Sequence, residues 1–374
     1  MYSTIGKNLE VNINSKHVFK KFLRKSERKE SINMDKESNV ESNKGLNKKS
    51  NKNKGQEISA NEEIIEDPRK IFSEALIELG IKNPDILYIS CDSSLGASGA
   101  EFNMRFPERH FEFGIQEQNA MGEAAGFALS GKIPFIAAYV PFITFRCFEQ
   151  IRDDVCKTNL NVNIMGNNCG FSTSALGPTH VILEDVSIMR SLPNMTIISP
   201  CDGPEYYQAV FAAAELDKPV YIRIHRQKIK RLHYEGYIFK IGKGEILKKG
   251  SDITVIACST MVHKVLEAAA LLAQKGMDCE VVNISTIKPI DKDLILSSSS
   301  KTKKVVTVEE HSIVNGLGSA VADVLSKENP VKIHMIGIDD FFAVVGQYNE
   351  VLDYYGLTGL KIAQRIENFI TDKV

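Results

Sequence analysis

From Asp67 onward the chain switches repeatedly between two hydrophobic periods. Continuous apolar runs occupy Ile86–Ser90, Ile133–Val140, Val162–Met165, Thr196–Ser199 and Val220–Ile224. They are short and lack the in–out alternation of a half-exposed strand, so they read as strands buried on both faces. Helical spacing fills the gaps between them, at Ile71–Leu79, Glu117–Leu129, Phe145–Lys157, Val181–Ser191 and Glu205–Glu215. Asp67-Pro68 opens the first helix as an N-cap followed by a proline that needs no hydrogen-bond partner. A polar, basic stretch, Gln227–Lys249, reads as a linker, and then the pattern restarts. Strand Ile253–Ala257 and helix Val262–Lys275 are followed by strands Glu280–Ile284, Val305–Val308 and Ile333–Ile336. No repeat of solenoid period is present. The expected fold is α/β, two doubly wound domains at residues 63–226 and 251–374 joined by a linker at 227–250, after a tail at 1–62. Ligands of such sheets bind at the carboxyl ends of the strands.

Composition changes this picture in two places. With 374 residues, 43% of them apolar and 25% charged, there is material for two ordinary cores. The net charge of -1 conceals an asymmetry, because residues 1–60 carry 14 Lys/Arg against 7 Asp/Glu and the remainder 32 against 40. An acidic body gives no support to nucleic-acid binding, and no apolar run reaches the ~18 residues of a membrane span. The tail is poor in aromatics and rich in Lys, Asn, Ser and Glu, which predicts disorder. Glu10, Glu27, Glu30 and Asp35 argue against a targeting peptide, and a short basic helix over 16–29 is the alternative to a solvated tail. Seven cysteines without a Cys-x-x-Cys pair predict reduced, buried thiols in a cytoplasmic protein, with no metal ligands among these residues.

Residues 109–127 carry the most chemistry. Glu117 stands where an apolar strand end (Phe111, Phe113, Ile115) passes into a helix of small residues, among them Ala120, Gly122, Ala124, Ala125 and Gly126. So little side-chain bulk lets another helix approach closely, and a carboxylate at such a seam is desolvated, which suits a proton relay to a heterocyclic nitrogen. Phe142, Phe145 and Phe148 are spaced to line one side of a helix start after strand Ile133–Val140, where aromatic faces form a platform for a flat ring. Gly177-Pro-Thr-His180 is a tight turn expected to present His180 at a helix start, and Arg226 follows strand Val220–Ile224 at another carboxyl edge.

The segment Phe113-Gly-Ile-Gln-Glu117-Gln, continued by Ala124-Ala-Gly, resembles the pyrimidine-binding segment of the thiamine-diphosphate enzymes of the transketolase group. The likeness continues through Phe142–Arg152, Gly177–His180, Glu184-Asp185, Met189–Asn194, Ser199–Asp202, Glu309–Gly318 and Tyr355–Thr358. It implies that Glu117 hydrogen-bonds the pyrimidine nitrogen opposite the amino group and drives the tautomer by which thiamine diphosphate supplies its own carbanion. By the same match Phe142, Phe145, Phe148 and Ile115 hold the pyrimidine, and His180 faces the thiazolium and the donor's hydroxyls. Arg226, with Ser94 and Leu176, belongs to the substrate side, Arg226 at a sugar phosphate.

Several departures shape that expectation. The family usually has Asp where Leu176 stands and Gln where Val181 stands, and the loop Asn168–Ala175 lacks the usual His and Gly-rich pattern. The cofactor half is therefore better preserved than the donor half, which implies an unusual donor or weakened activity. The Gly-Asp-Gly and Asn-Asn motif that carries metal and diphosphate is absent, so no metal ligand is assigned in this chain. The resemblance thus implies the C-terminal subunit of a split transketolase. An N-terminal partner would carry the diphosphate motif and most of the Mg²⁺ (or Ca²⁺) site, and two such pairs would form a dimer of heterodimers acting on sugar phosphates. The alternatives are the beta subunit of a 2-oxoacid decarboxylase, a deoxyxylulose-phosphate-synthase-like enzyme and, in another class, a non-catalytic regulatory subunit.

Overall fold

The computed structural model describes residues 63–92, 99–234 and 236–371. The expectations about the N-terminal tail and about Ser94 lie outside the described residues. Helix Pro68–Lys82 starts where the sequence places it, because Asp67 Oδ1 accepts the amide of Arg69 at 3.0 Å.

The strands, in chain order, are β1 (Ile65–Glu66), β2 (Ile86–Ser90), β3 (His110–Glu112), β4 (Ile133–Tyr139), β5 (Asn163–Asn167), β6 (Thr196–Ile198) and β7 (Val220–Ile224). They continue with β8 (Ile229–Lys230), β9 (Glu245–Lys248), β10 (Ile253–Ala257), β11 (Cys279–Asn283), β12 (Thr286–Lys288), β13 (Lys304–Ser312) and β14 (Lys332–Ile338). One sheet has the order β12-β6-β7-β5-β4-β2-β3 and is parallel except for β12. The other has the order β14-β13-β10-β11-β9, parallel except for β9. These are the two α/β units that the apolar runs predict. The stretch read as a linker carries strands of its own. β8 pairs back onto β1, and β9 forms the edge of the second sheet. Both are too short and too polar to stand out as apolar runs.

Strand order locates the crevice. The chain runs from β2 to its neighbour β3 at one edge, then returns to the opposite side of β2 as β4. The connections after β2 and after β4 therefore diverge, which opens a cleft at their carboxyl ends. The segment leading to Glu117 follows β3, the Phe142 segment follows β4, the His180 loop follows β5 and Arg226 follows β7. All the described site candidates thus lie on one rim.

The two sheets share apolar packing. Ile136, Ile164 and Ile197 of the first belong to the same buried cluster as Ile256, Val282 and Val305 of the second. Each such side chain contributes about 1.5–3 kcal/mol by leaving water. Across this seam lies a buried polar network. Asp185 accepts from Arg223 Nε at 2.7 Å, from Arg223 Nη2 at 3.1 Å and from the Tyr221 hydroxyl at 2.7 Å. Arg223 Nη2 also reaches the carbonyl of Glu310, 3.3 Å away on β13. Burial alone would push the Asp185 carboxyl up, but Arg223, His311 and the Tyr221 hydroxyl outweigh it and hold it below its usual range.

His311 closes the network as a neutral ring. Its Nε2 accepts the amide of Val186 at 3.1 Å, so the proton is on Nδ1, which donates to the carbonyl of Ser312 at 2.7 Å. Burial, against the attraction of Asp185, pushes its pKa down to about 4. In the unfolded chain the ring titrates near 6.5, so the stability it contributes is complete above pH 6.5 and is lost as pH falls toward 4. The loss amounts to about 1.4 kcal/mol per pH unit. Glu309, pushed up to about 7 by burial, has the opposite sign, its contribution being lost as pH rises from 4.5 through 7. His311→Gln isolates the histidine's share. Urea titrations from pH 7 to pH 4.5 are expected to show the wild type losing stability faster than the variant. A wild-type-minus-variant difference independent of pH would show that the ring titrates alike in the folded and unfolded chain, with its pKa not lowered by burial.

Candidate functional site

The approach to Glu117 is set by a second carboxylate. Glu112 accepts the Ser90 hydroxyl at 2.5 Å, the amide of Asp92 at 2.6 Å and the amide of Gly114 at 2.9 Å. Burial would push this carboxyl up, but those three donors hold it below its usual range. The bend that follows needs glycine, since Gly114 has φ +67°. Helix Glu117–Leu129 then begins at Gln116, whose side chain makes no capping bond, and Glu117 occupies the first turn.

Glu117 is 2% exposed, in keeping with the expected seam, but it is not alone. Arg146 Nη1 donates to its Oε2 at 2.5 Å. Among the described residues no other hydrogen bond reaches this carboxylate, so Oε1 accepts nothing. The Arg146 guanidinium also lies over the Phe142 ring, 4.5 Å from its centroid. Sequence reasoning passed over Arg146. Its only signal is its place beside Phe145 in the aromatic run, and the contact to Glu117 spans 29 residues.

The aromatic segment departs from the expected helix. Phe142–Arg146 and Ile151–Cys156 are π-helical, with a short α-helical piece, Phe148–Gln150, between them. Thr144 Oγ1 bonds back to the carbonyl of Val140 at 2.6 Å and Cys147 Sγ to that of Phe142 at 3.4 Å, which accompanies the widened turns. With more than 3.6 residues per turn, spacings of three and six no longer share one face. Phe148 accordingly packs against the core, Phe142 is half-buried under Arg146, and Phe145 is 50% exposed. Ile115 is exposed as well.

His180 joins this group edge-on. Its ring stands 5.4 Å from that of Phe142 at 82° and 6.0 Å from that of Tyr139 at 81°, and Nδ1 lies 3.0 Å from the Thr179 hydroxyl. Tyr139 and Thr179 are further residues that the sequence alone did not single out. The expectation that His180 opens a helix is corrected. Its amide bonds to the carbonyl of Gly177 in a turn, and the helix begins only at Asp185. The reason is tertiary, since Val181, Ile182 and Leu183 are buried and Ile182 bridges to Gly170 in extended form. Leu176 ends a single 3₁₀ turn, Ser174–Leu176, and is 56% exposed. Arg226 is exposed, and its amide meets the Ser172 hydroxyl of the same loop at 3.3 Å. Contacts therefore run without a break from Glu117 through Arg146 and Phe142 to His180, whose turn bears Leu176.

Another cluster, Cys201, Asp202 and His233, brings three potential metal ligands within 4.8 Å. Its chemistry does not suit the Mg²⁺ or Ca²⁺ of a diphosphate site, which takes oxygen ligands. Asp202 Oδ2 already accepts the amides of Leu232 at 2.8 Å and His233 at 2.7 Å, and Oδ1 caps helix Gly203–Glu215. Burial and the nearby charges of Glu205 and Asp202 push the Cys201 thiol well up. His233 lies between Asp202 and Glu245. Its Nδ1 is 3.0 Å from Asp202 Oδ2, off the line of a good hydrogen bond, and its Nε2 is 2.9 Å from Glu245 Oε2. Burial would lower its pKa, but the two carboxylates raise it to about 10, and a doubly protonated ring cannot ligate a metal. All seven cysteines are free and buried. Among the described residues no helix is long and apolar enough to cross a membrane.

Comparison with known proteins agrees with this geometry. Residues 67–231 match the family described as transketolase, pyrimidine binding domain, and residues 242–362 match transketolase, C-terminal domain. A protein of Methanocaldococcus jannaschii described as a transketolase C-terminal section is 41% identical over 301 residues, covering 80% of this chain and 94% of that one. The 6-deoxy-6-sulfo-D-fructose transketolase subunit SqwH of Clostridium sp. is 36% identical over 296 residues, covering 79% and 92%. Among solved structures, a split-gene transketolase in the form of an inactive β4 tetramer superposes with a TM-score of 0.75 at 39% identity, covering 81% of this chain and 98% of that one. The chain belongs to the transketolase family, as a polypeptide of the C-terminal, split-subunit type that joins the pyrimidine-binding and C-terminal domains.

Proposed function

We propose that this chain is the C-terminal subunit of a split, thiamine-diphosphate-dependent transketolase that moves a two-carbon ketol unit from a phosphorylated donor sugar to an acceptor. The observation that carries this reading is Glu117, a buried carboxylate with one unbonded oxygen, paired with Arg146, the residue next to the exposed Phe145. That pairing suits an aminopyrimidine, whose ring nitrogen accepts or shares a proton with a carboxyl group and whose ring offers a flat apolar face. When bound, thiamine diphosphate supplies the nucleophilic carbon that takes up the ketol unit. Glu117 Oε1 would meet the pyrimidine nitrogen and hold or return its proton, while the exposed Phe145 and Ile115 would orient the ring, with Phe142 beneath Arg146 and Phe148 against the core. His180 faces the donor's hydroxyls and Arg226 receives its phosphate.

The diphosphate and its Mg²⁺ or Ca²⁺ are assigned to an N-terminal partner subunit, two pairs forming a dimer of heterodimers. Helix Glu117–Leu129 supports such a seam. A Cβ placed on Gly122 or Gly126 would meet nothing within 4 Å, so a backbone can approach there, and Ile115 and Leu129 are exposed apolar neighbours. The split-gene relative, inactive as a tetramer of one chain type, agrees with a divided site. Copurification is expected to recover a partner chain of ~30 kDa, the size of a single ordinary domain. Alone, this chain is expected to bind thiamine diphosphate at about millimolar affinity or worse, roughly 4 kcal/mol or less. Calorimetry that found micromolar, Mg²⁺-dependent binding to the isolated chain would refute the divided site.

Leu176 defines the donor side. A carboxylate at this turn would bond a donor hydroxyl, and sites built for such bonds discriminate strongly because unpaired polar groups are costly. An exposed leucine, next in the chain to Gly177 against which the exposed Val345 lies, offers an apolar surface instead. We therefore assign a donor that differs from an ordinary ketose phosphate near its hydroxyls, a deoxy or otherwise modified sugar. One relative, 36% identical, is named as a 6-deoxy-6-sulfo-D-fructose transketolase subunit, which supports this reading. A donor panel on the reconstituted complex, with wild type and Leu176→Asp, is expected to show poor use of xylulose 5-phosphate by the wild type and improvement in the variant. Equal efficiency in both, with xylulose 5-phosphate as good as any donor, would make Leu176 a neutral replacement.

A further inference from the structure

We propose that Arg146 is the positioning residue of the cofactor site, fixing which oxygen of Glu117 is offered to the pyrimidine. The inference rests on the reading of Glu117 given above and deepens it. Three observations carry it. Arg146 donates to Oε2 alone, at 2.5 Å, which leaves Oε1 as the carboxylate's one uncommitted acceptor. The guanidinium is itself held, by the face of Phe142 at 4.5 Å. Finally, the two side chains differ in exposure, 3% for Glu117 and 40% for Arg146, so the ion pair reaches from the buried floor of the cleft to its mouth.

A carboxylate buried without a counter-ion would be unstable in the empty subunit and free to rotate between equivalent lobes. The charge-assisted bond from Arg146 removes both problems at once. It balances the charge before any cofactor arrives, and it fixes the carboxylate plane with Oε1 pointing away from the guanidinium. The ring of Phe142 is occupied by Arg146, whereas that of Phe145 is exposed, so the two aromatic residues divide the work. Phe142 supports the arginine, and Phe145 remains for the pyrimidine. Arg146 touches neither cofactor nor substrate in this arrangement and acts only through Glu117.

The test compares Arg146→Gln, Arg146→Lys and Glu117→Gln in the complex with the partner subunit, by calorimetry with thiamine diphosphate and Mg²⁺ from pH 5.5 to 8.5. Arg146→Gln is expected to weaken binding about 10-fold, the scale of one charge-assisted contact. Arg146→Lys keeps the charge but not the planar fork, so it should restore the affinity only in part. A second readout needs no cofactor. In urea unfolding of the full-length chain, the Arg146→Gln and Glu117→Gln effects should be non-additive, the double variant losing less than the sum of the two. If Glu117→Gln leaves binding unchanged, the assignment of the cofactor site itself fails. If Glu117→Gln weakens binding while Arg146→Gln leaves it unaltered or tightens it, Arg146 is a bystander or an obstruction and this inference is overturned. Additive stability effects would overturn it as well.

Discussion

The ion pair between Arg223 and Asp185 is the constraint around which the rest of the structure is arranged. Both side chains are buried, and taking two charges out of water costs several kcal/mol each unless their remaining polar atoms are also satisfied. Here they are, by Tyr221 on the same strand and by the carbonyl of Glu310 in the other sheet. The pair and its Tyr221 bond lie within the first unit, and the bond from Arg223 to the Glu310 carbonyl on β13 is the one that ties this network to the second sheet. Its reach includes the site. The loop that carries His180 is held at its far end by Asp185 and near its beginning by Glu310, whose Oε1 accepts the amide of Phe171 at 2.7 Å. A turn anchored at both ends by one buried network is held by the scaffold rather than by its own sequence.

The same logic explains why half a site can be stable. On the reading proposed above, the cofactor site is divided between two polypeptides and this chain supplies one side of it. What remains in the isolated chain is an acid in an apolar cleft and an aromatic platform, both costly to leave uncompensated. Arg146 answers the first by pairing with Glu117, and Phe142 is half-covered by the same guanidinium. Phe145 and Ile115 are left exposed, which is the pattern expected where another surface or a ligand is to be added.

Much of this was legible in the sequence, and the parts that were not have a common cause. The apolar runs at β2 and β7 and the helix from Glu117 to Leu129 appear within the bounds read from residue pattern, because burial on two faces and a run of small residues are local signals. Glu117 was visible as an acid at a strand-to-helix seam. Its partner Arg146 was not, since nothing in a chain of residues says that two positions 29 apart will meet. The phenylalanine triad was read with α-helical spacing, whereas back-bonding by Thr144 and Cys147 accompanies π turns that separate the three rings. His180 was placed at a helix start because Gly-Pro punctuates the chain there. The extended Val181–Leu183 that follows is dictated by a bridge to Gly170 and by burial against the second domain. Local chemistry singled out the candidate residues, and tertiary contacts decided how they face one another.

The C-terminal domain, which provides none of the residues assigned to the cofactor, shapes the donor side from behind. Glu310 Oε2 accepts from the hydroxyls of Thr260 at 2.8 Å and Tyr348 at 2.7 Å, tying the second sheet to helix Tyr348–Tyr354. Burial pushes this carboxyl up, and those hydroxyls with the Phe171 amide counter it, so the tie depends on every donor being in place. The loop leading into that helix then meets the first domain. The amide of Gly346 bonds to the carbonyl of Ser174 at 3.4 Å, and Val345 lies against Gly177, where φ +84° already demands glycine. The turn that sets Leu176 and His180 is thus packed from below by the second domain. A change in the donor side of this subunit need not arise among residues that touch the donor. It can be made in the 341–346 loop, which bears the exposed Phe341, Phe342 and Val345 and bonds through Gly346 to the carbonyl of Ser174.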